Sequence, residues 1–308
     1  MVPEIQTNTT AGIPLPGLVI VNYGKNQLVE DTAGAIHRCV ARRGLPQIVC
    51  GDEITWQPTG TGTGVIETIQ PRRTVLLRAI GNNKSRPLAS NIDLVIIEAA
   101  LEPALDYFLI DKYIVAANLA KAEPLIIINK CDLIRPEDQG RIELLISEYN
   151  AIGYTTLLTS ALENTGIEQF SDYLTGKTSI LVGQSGVGKS SLIKRLLPDR
   201  DIAIGRLSAA SGLGKHTTTS TTLYHQPHGG NLIDSPGVRD FHLGEVNGSD
   251  LAYGFREVQA YLGQCRFNDC RHLSEPHCAV IAAVAAGDVL ERRLESYRRL
   301  LQPEKYKP

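Results

Sequence analysis

The sequence predicts a multidomain chain in three parts: an OB-like β-barrel over 1–90, an α/β domain built on a parallel sheet over 91–254, and a metal-binding segment with helices over 255–308. Three observations carry this. Gly183-Gln-Ser-Gly-Val-Gly-Lys-Ser190 follows a short apolar run and precedes a helical pattern, the context of a phosphate loop. From Asn91 onward, apolar runs of strand length alternate with helical patterns. Near the C-terminus Cys265, Cys270, His272 and Cys278 crowd into one short stretch.

At 308 residues and a formal net charge of −2, the chain is long enough to bury large apolar cores. The charge is uneven: 1–90 carry 9 Lys/Arg against 6 Asp/Glu, 91–254 carry 13 against 20, and 255–308 carry 9 against 7. Mildly basic ends around an acidic middle suit domains that touch a polyanion, and equally suit ordinary solvated surface. No apolar run is long enough to span a bilayer, and the N-terminus lacks a basic-then-apolar export pattern. A cytoplasmic location without membrane association is therefore expected. In that compartment crowded cysteines favour metal over disulfides, and the isolated Cys39, Cys50 and Cys131 read as packed thiols.

In the first part, 17–21 reads as a strand with 27–29 as its partner, and 35–42 alternates apolar and polar residues. Segment 48–56 turns at Gly51-Asp52, and 65–69 follows a flexible, glycine-rich loop over 59–64. Short strands at this spacing suggest a small barrel. Arg72, Arg73, Arg78, Lys84 and Arg86 make its exit basic, which suits either an RNA phosphate contact or a solvated loop.

In the second part, 94–97, 125–128, 155–158, 180–182 and 231–233 read as buried strands. Between them, 107–122 places Leu109, Ile110, Tyr113, Ile114 and Ala117 on one helical face, and 137–150 does the same with Ile142, Leu145 and Ile146. Ligand loops of such a sheet belong at the C-terminal ends of its strands, and the motifs sit there. In the phosphate loop, Gly183, Gln184, Ser185, Gly186, Val187 and Gly188 can curl backbone N–H groups toward phosphate oxygens. Lys189 can reach the outer phosphates, and the Ser190 hydroxyl can join a Mg²⁺ shell.

Asn129-Lys130-Cys131-Asp132 fits N-K-x-D, a guanine reader. The Asp132 carboxylate can accept from the ring N–H and the exocyclic amine, a donor pair that adenine lacks on that edge. Asn129 braces neighbouring loops and the Lys130 stem covers the base. Ser160 and Ala161 would offer a backbone amide to the guanine oxygen. In Asp234-Ser-Pro-Gly237, Asp234 would hold Mg²⁺ through water and the Gly237 N–H would meet the terminal phosphate. The hydroxyl-rich loop over 212–219 supplies a switch threonine, with Thr218 the first choice. His216 in that loop is a candidate for positioning the attacking water beside Lys189 and Thr218, because Val238 stands where a water-orienting glutamine is common. N-K-x-D precedes the phosphate loop here, the reverse of the ordinary GTPase order. A circular permutation explains it, since domain termini lie close together.

In the third part, C-x4-C-x-H-x5-C over Cys265, Cys270, His272 and Cys278 is a closed tetrahedral donor set for one structural Zn²⁺, with His277 a spare donor. Two helical patterns follow, over 280–286 and 289–301, the second with Arg292, Arg293, Arg298 and Arg299 on its outside, open to phosphates or solvent.

On Gly183 to Ser191, Gly214-Lys-His-Thr-Thr-Thr219, Asp234-Ser-Pro-Gly237 and the cysteine stretch with Glu275-Pro276, the chain resembles the RsgA family of small ribosomal subunit biogenesis GTPases. The resemblance covers nearly the whole chain, including the barrel with Gly51-Asp52. It implies a circularly permuted P-loop GTPase domain between an OB-like barrel and a zinc finger. It further implies hydrolysis of GTP to GDP and phosphate, binding of the small subunit through rRNA rather than DNA late in maturation, and turnover stimulated by the subunit, with a hydrophobic residue such as Val238 in the glutamine position. Lys215 stands where arginine is often seen, and His277 where glycine is common. A monomer is expected. Two rival readings are a GTP-sensing RNA-binding module with negligible hydrolysis, and a P-loop kinase, against which Asn129 and Asp132 argue.

Overall fold

Five strands, β1 (Leu15–Asn22), β2 (Asn26–Asp31), β3 (Ile36–Ala41), β4 (Glu53–Gly60) and β5 (Thr63–Ile69), pair in the order β1-β2-β3-β5-β4, and β4 returns to pair with β1. The circuit is closed, so none of the five is left with an open edge. The computed structural model describes residues 13–79, 85–200, 203, 204, 207, 210, 220–235 and 248–306. Val19, Val29, Cys39, Ile54, Trp56 and Ile66 fill the barrel, alternate residues of each strand pointing inward. The segment expected as a flexible loop, 59–64, is instead the tip of the β4–β5 hairpin. Gly60 pairs with Thr63, and only Thr61 and Gly62 turn the chain. Threonine is a strand former, and Gly62 takes the positive φ of 68° that a two-residue turn requires.

Strands β6 (Val75–Ala79) and β7 (Ser85–Ser90) form a separate hairpin at the barrel exit. Beside it Asp52, fully buried, accepts from Arg72 Nε and Nη2 at 2.7 Å each, from Ser90 Oγ at 2.6 Å and from Val49 N at 2.8 Å. Arg73 donates to Asp93 at 2.6 Å. Two of the arginines read as a basic exit are thus engaged by carboxylates. Arg78 and Arg86 are exposed, and Lys84 lies outside the described residues.

Beyond the barrel, β8 (Leu94–Ala99), β9 (Glu123–Ile128), β10 (Thr155–Leu158), β11 (Thr178–Gly183), β12 (Thr222–His225) and β13 (Asn231–Asp234) form a sheet ordered β10-β9-β8-β11-β13-β12. All neighbours run parallel except β12 against β13, a hairpin partner that apolar runs did not reveal. One bridge, Val21 to Thr222, joins β1 to β12 and makes barrel and sheet continuous. Helices α1 (Tyr107–Leu119), α2 (Pro136–Ala151), α3 (Ile167–Leu174) and α4 (Lys189–Leu196) accompany this sheet. α1 is capped by Asp106, whose carboxylate accepts from Leu109 N at 3.0 Å.

At the C-terminus, helices Gly248–Tyr253, Arg256–Gln259, Ala279–Ala286 and Glu291–Leu301 gather around Leu251, Phe255, Val280, Leu294 and Tyr297, and Val115 of α1 joins the cluster. Three of the four arginines of the last helix depart from expectation, while Arg299 is exposed as expected. Arg293 is fully buried and donates to Asp111 of α1 at 2.6 Å and to Glu257 at 2.5 Å, with Ser296 donating to the same Asp111 at 2.6 Å. Arg292 donates to Glu148 of α2 at 2.7 Å and lies over the Tyr107 and Tyr149 rings. Arg298 donates to Leu273 O at 2.9 Å, and the Arg299 guanidinium stands 3.8 Å from the Phe108 ring centre. A buried guanidinium is tolerated where carboxylates and aromatic faces replace water, and here they clamp the C-terminal segment to α1 and α2. No described helix is long and apolar enough to cross a membrane.

Candidate functional site

The phosphate loop leaves β11 at Gly183 and enters α4 at Lys189. A Cβ at Gly183 would stand 2.2 Å from Glu98 O, and one at Gly188 would stand 2.2 Å from Asn129 Nδ2. With φ of 147° and 119°, neither position admits another residue without strain. The Lys189 ammonium donates to Gly183 O at 2.8 Å and Gln184 O at 2.5 Å, inside the curl of the loop. Val187 is buried, whereas Ser185, Gly186, Ser190 and Ser191 are exposed and Gly188 is half-buried.

The N-K-x-D segment leaves β9, two strands away, and is joined to this loop by its own side chains. Asn129 Nδ2 donates to Val187 O at 3.1 Å and to Glu98 Oε1 at 2.9 Å, and Asn129 Oδ1 accepts from Thr159 Oγ1 at 3.2 Å. Lys130, in left-handed backbone geometry, donates to Gly186 O at 2.7 Å and Glu102 O at 2.8 Å. Cys131 N donates to Thr159 O at 3.0 Å, which ties the segment to the loop after β10. Asp132 follows in a short 3₁₀ turn and is partly exposed. The Ser160–Ala161 loop is held in turn by Arg195 of α4, whose Nε donates to Ala161 O at 2.7 Å. Asn129, Lys130, Ser160, Ala161 and the phosphate loop therefore share one rim of the sheet, as their strand-end positions predicted.

Asp234 ends β13, beside β11 in the same sheet. Its carboxylate pairs with Arg200, which follows α4. Burial raises the Asp234 carboxyl above its ordinary range, and Arg200 offsets part of that rise. Gly237, Val238, His216 and Thr218 lie outside the described residues.

Sequence reasoning missed Glu98. It is the penultimate residue of the fully buried β8, directly under the phosphate loop, and is 1% exposed. Its Oε2 has no hydrogen-bond partner, and a Cβ at Gly188 would stand 3.1 Å from its Oε1. Burial lifts its carboxyl to about 7, against the opposing pull of the Asn129 hydrogen bond and the Lys189 and Lys130 charges. A lone acid near the end of an apolar strand was the available signal. Arg195 was missed as well, since nothing in its spacing distinguishes it from a solvated helix residue.

Far from this rim, one ligand atom each from Cys265, Cys270, His272 and Cys278 lies within 4.8 Å of the other three. His272 Nδ1 stands 3.5, 3.6 and 3.3 Å from the sulfurs of Cys265, Cys270 and Cys278, and the Cys265 and Cys278 sulfurs are 3.9 Å apart. A tetrahedron with Zn–S of about 2.3 Å and Zn–N of about 2.0 Å has S–N edges of about 3.6 Å and S–S edges of about 3.8 Å. The cluster already has these dimensions, and the donor set fits the ion. His277 is not among the four. The Glu275 carboxylate organises the knuckle by accepting from Arg271 N at 3.0 Å, Leu273 N at 2.7 Å and Ser274 N at 3.1 Å. Burial holds the Cys270 thiol up at about 12, so metal binding there must release protons. Cys39 and Cys50 are packed thiols, as expected.

A family model described as RsgA GTPase matches residues 69–244. A Sodalis glossinidius protein named small ribosomal subunit biogenesis GTPase RsgA is 44% identical over 291 residues, spanning 92% of this chain and 84% of its own length. A Chromohalobacter salexigens protein of the same name is 46% identical over 289 residues, spanning 92% and 85%. Among solved structures, YjeQ from Thermotoga maritima superposes with a TM-score of 0.77 at 30% identity, covering 96% of this chain and all of that one. YloQ, described as a circularly permuted GTPase, gives 0.75 at 25% identity, covering 98% and 99%.

Proposed function

This chain belongs to the RsgA GTPase family, and from that premise we propose how its residues divide the work of a GTP hydrolase in small ribosomal subunit biogenesis. The working division is 1–90 for RNA contact, 91–254 for nucleotide, and 255–308 for the finger and its helices. GTP lies along the sheet rim. Asp132 selects guanine, the Lys130 stem flanks the base, and Asn129 locks the reader to the phosphate loop. Ser160 N is committed to Thr165 O at 2.9 Å, so the amide that meets the guanine oxygen is that of Ala161. Backbone N–H groups of 183–188 and the Lys189 ammonium hold the phosphates. Lys189 exchanges its two carbonyl contacts for phosphate oxygens, a charge-assisted gain.

Mg²⁺, required by this chemistry, would be held by Ser190, by a switch threonine (Thr218 the first choice) and, through water, by Asp234. When bound there, it would supply charge neutralisation for the departing phosphate. Arg200 must then release Asp234. Val238 cannot orient water, so unaided turnover is slow, and the bound subunit supplies or positions the missing polar group, with His216 the internal candidate. Cys265, Cys270, His272 and Cys278 hold one structural Zn²⁺. The barrel and the finger grip rRNA in the cytoplasm, and hydrolysis releases the grip.

The observation that carries this reading is the pair of hydrogen bonds from Asn129 and Lys130 to the carbonyls of Val187 and Gly186. They make guanine reader and phosphate cradle one unit. The test is GTP hydrolysis with and without purified small subunits. Acceleration by subunits is expected. Its absence would favour a GTP-sensing RNA-binding module.

A further inference from the structure

A cavity of about 430 Å³ lies where the barrel meets the nucleotide domain, within the size range of small-molecule sites. The barrel contributes Ile20 and Ile36 to its wall, and the nucleotide domain contributes Leu197 and Leu223. Two donors among the lining residues lack partners: Gln226 Nε2, on a residue 7% exposed, and Arg200 Nε. A buried donor without an acceptor is unfavourable, so the walls favour a ligand that brings acceptors.

The acids around the cavity do not supply them. Glu30 accepts from His225 at 2.6 Å, Asp234 is paired with Arg200, and Asp199 is solvent-exposed. The chemistry left over is an apolar wall with two N–H donors, Gln226 Nε2 and the Nε of a guanidinium whose Nη2 is already on Asp234. We infer that this interdomain cavity binds a small organic anion, its apolar body against Ile20, Ile36, Leu197 and Leu223 and its oxygens accepting from Gln226 Nε2 and Arg200. Asp234 accepts from Nη2 of the same guanidinium, so a second anion on Nε shares that cation and weakens its pairing with Asp234. The consequence, which rests on the Mg²⁺ role proposed for Asp234, is that the anion frees that carboxylate and lowers the Mg²⁺ concentration needed for GTP hydrolysis.

The full-length protein is titrated with 8-anilinonaphthalene-1-sulfonate, an apolar ring system carrying one anionic group. One saturable site is expected. Gln226→Leu, which removes an unpartnered donor and so leaves folding intact, should weaken it about tenfold, the worth of one charge-assisted hydrogen bond. Ile36→Trp, which fills the cavity from the barrel side, should abolish it, with circular dichroism and melting of both variants checked against wild type. Sodium sulfate, an anion with no apolar body, should not displace the dye. Absence of a saturable site, equal dye binding by wild type and both folded variants, or displacement by sulfate at equimolar concentration would each overturn the assignment. Dye binding with an unchanged Mg²⁺ requirement would refute the coupling to Asp234. A guanine-selective, Mg²⁺-dependent GTPase whose Asp234→Asn variant keeps its Mg²⁺ requirement would instead place the failure in the role given to Asp234.

Discussion

Replacing Glu98 by glutamine tests the electrostatics under the phosphate loop. The carboxyl is 1% exposed and its Oε2 has no partner. Burial lifts it from 4.5 to about 7, with Asn129, Lys189 and Lys130 pulling the other way. Because the folded-state value is raised, the native protein holds a proton that the unfolded chain has lost. The stability this confers is present below about pH 4.5 and disappears as pH rises through about 7. At 1.36 kcal/mol per unit, the swing is about 3 kcal/mol. Glutamine keeps an acceptor for Asn129 and never ionises. The E98Q protein should therefore exceed wild type by under about 1 kcal/mol at pH 5 and by up to about 3 kcal/mol at pH 8. Urea unfolding of nucleotide-free protein at pH 5, 6, 7 and 8 reads this directly. The same substitution removes a negative charge beneath the bound triphosphate, so GTP affinity above pH 7 should rise. Parallel pH curves for the two proteins, or a variant weaker at pH 8, would refute the reasoning.

The other predictions concern the C-terminal clamp, the finger and the phosphate loop. Arg293→Met strands the carboxylates of Asp111 and Glu257 in the interior and should cost about 3–5 kcal/mol in urea unfolding; a loss under about 1 kcal/mol would mean that water reaches the pair. Cys270→Ser should remove the single equivalent of bound zinc on metal analysis and lower the melting temperature, whereas Cys39→Ser should leave metal content unchanged. Full metal in the first variant would exclude the proposed ligand set. Lys189→Ala should weaken GTP far more than guanosine, since in the proposed arrangement its ammonium meets only phosphates; equal weakening of both would place it elsewhere.

Much of this architecture was legible because each element carried its own local signal. The strands β8, β9 and β11 are buried on both faces and therefore read as unbroken apolar runs. The phosphate loop and N-K-x-D could be placed at strand ends, and their convergence followed from sheet geometry alone. The spacing of Cys265, Cys270, His272 and Cys278 already named the set with His277 as a spare, and the coordinates gather those same four.

What escaped depended on partners distant in sequence. Arg293 reads as a solvated helix residue until Asp111, 182 positions away, is brought beside it. Arg72 looks like an RNA contact until Asp52 is found buried next to it. Strand β12 is short and half polar, and its identity comes from pairing with β13. Glu98 is the instructive case, because its chemistry arises from burial and from an Asn129 supplied by another strand.

The most direct measurement is nucleotide preference after Asp132→Asn, by equilibrium binding of GTP, ATP and xanthosine triphosphate. Wild type should prefer GTP over ATP by a few kcal/mol, about 100-fold or more, since a carboxylate left without its donor pair beneath a bound base costs that much. The variant should lose GTP and gain xanthosine triphosphate, because the amide donates where the carboxylate accepted. A variant with unaltered preference, or a wild type that binds ATP as tightly as GTP, would contradict the claim that the base reader and the phosphate loop enclose one guanine nucleotide.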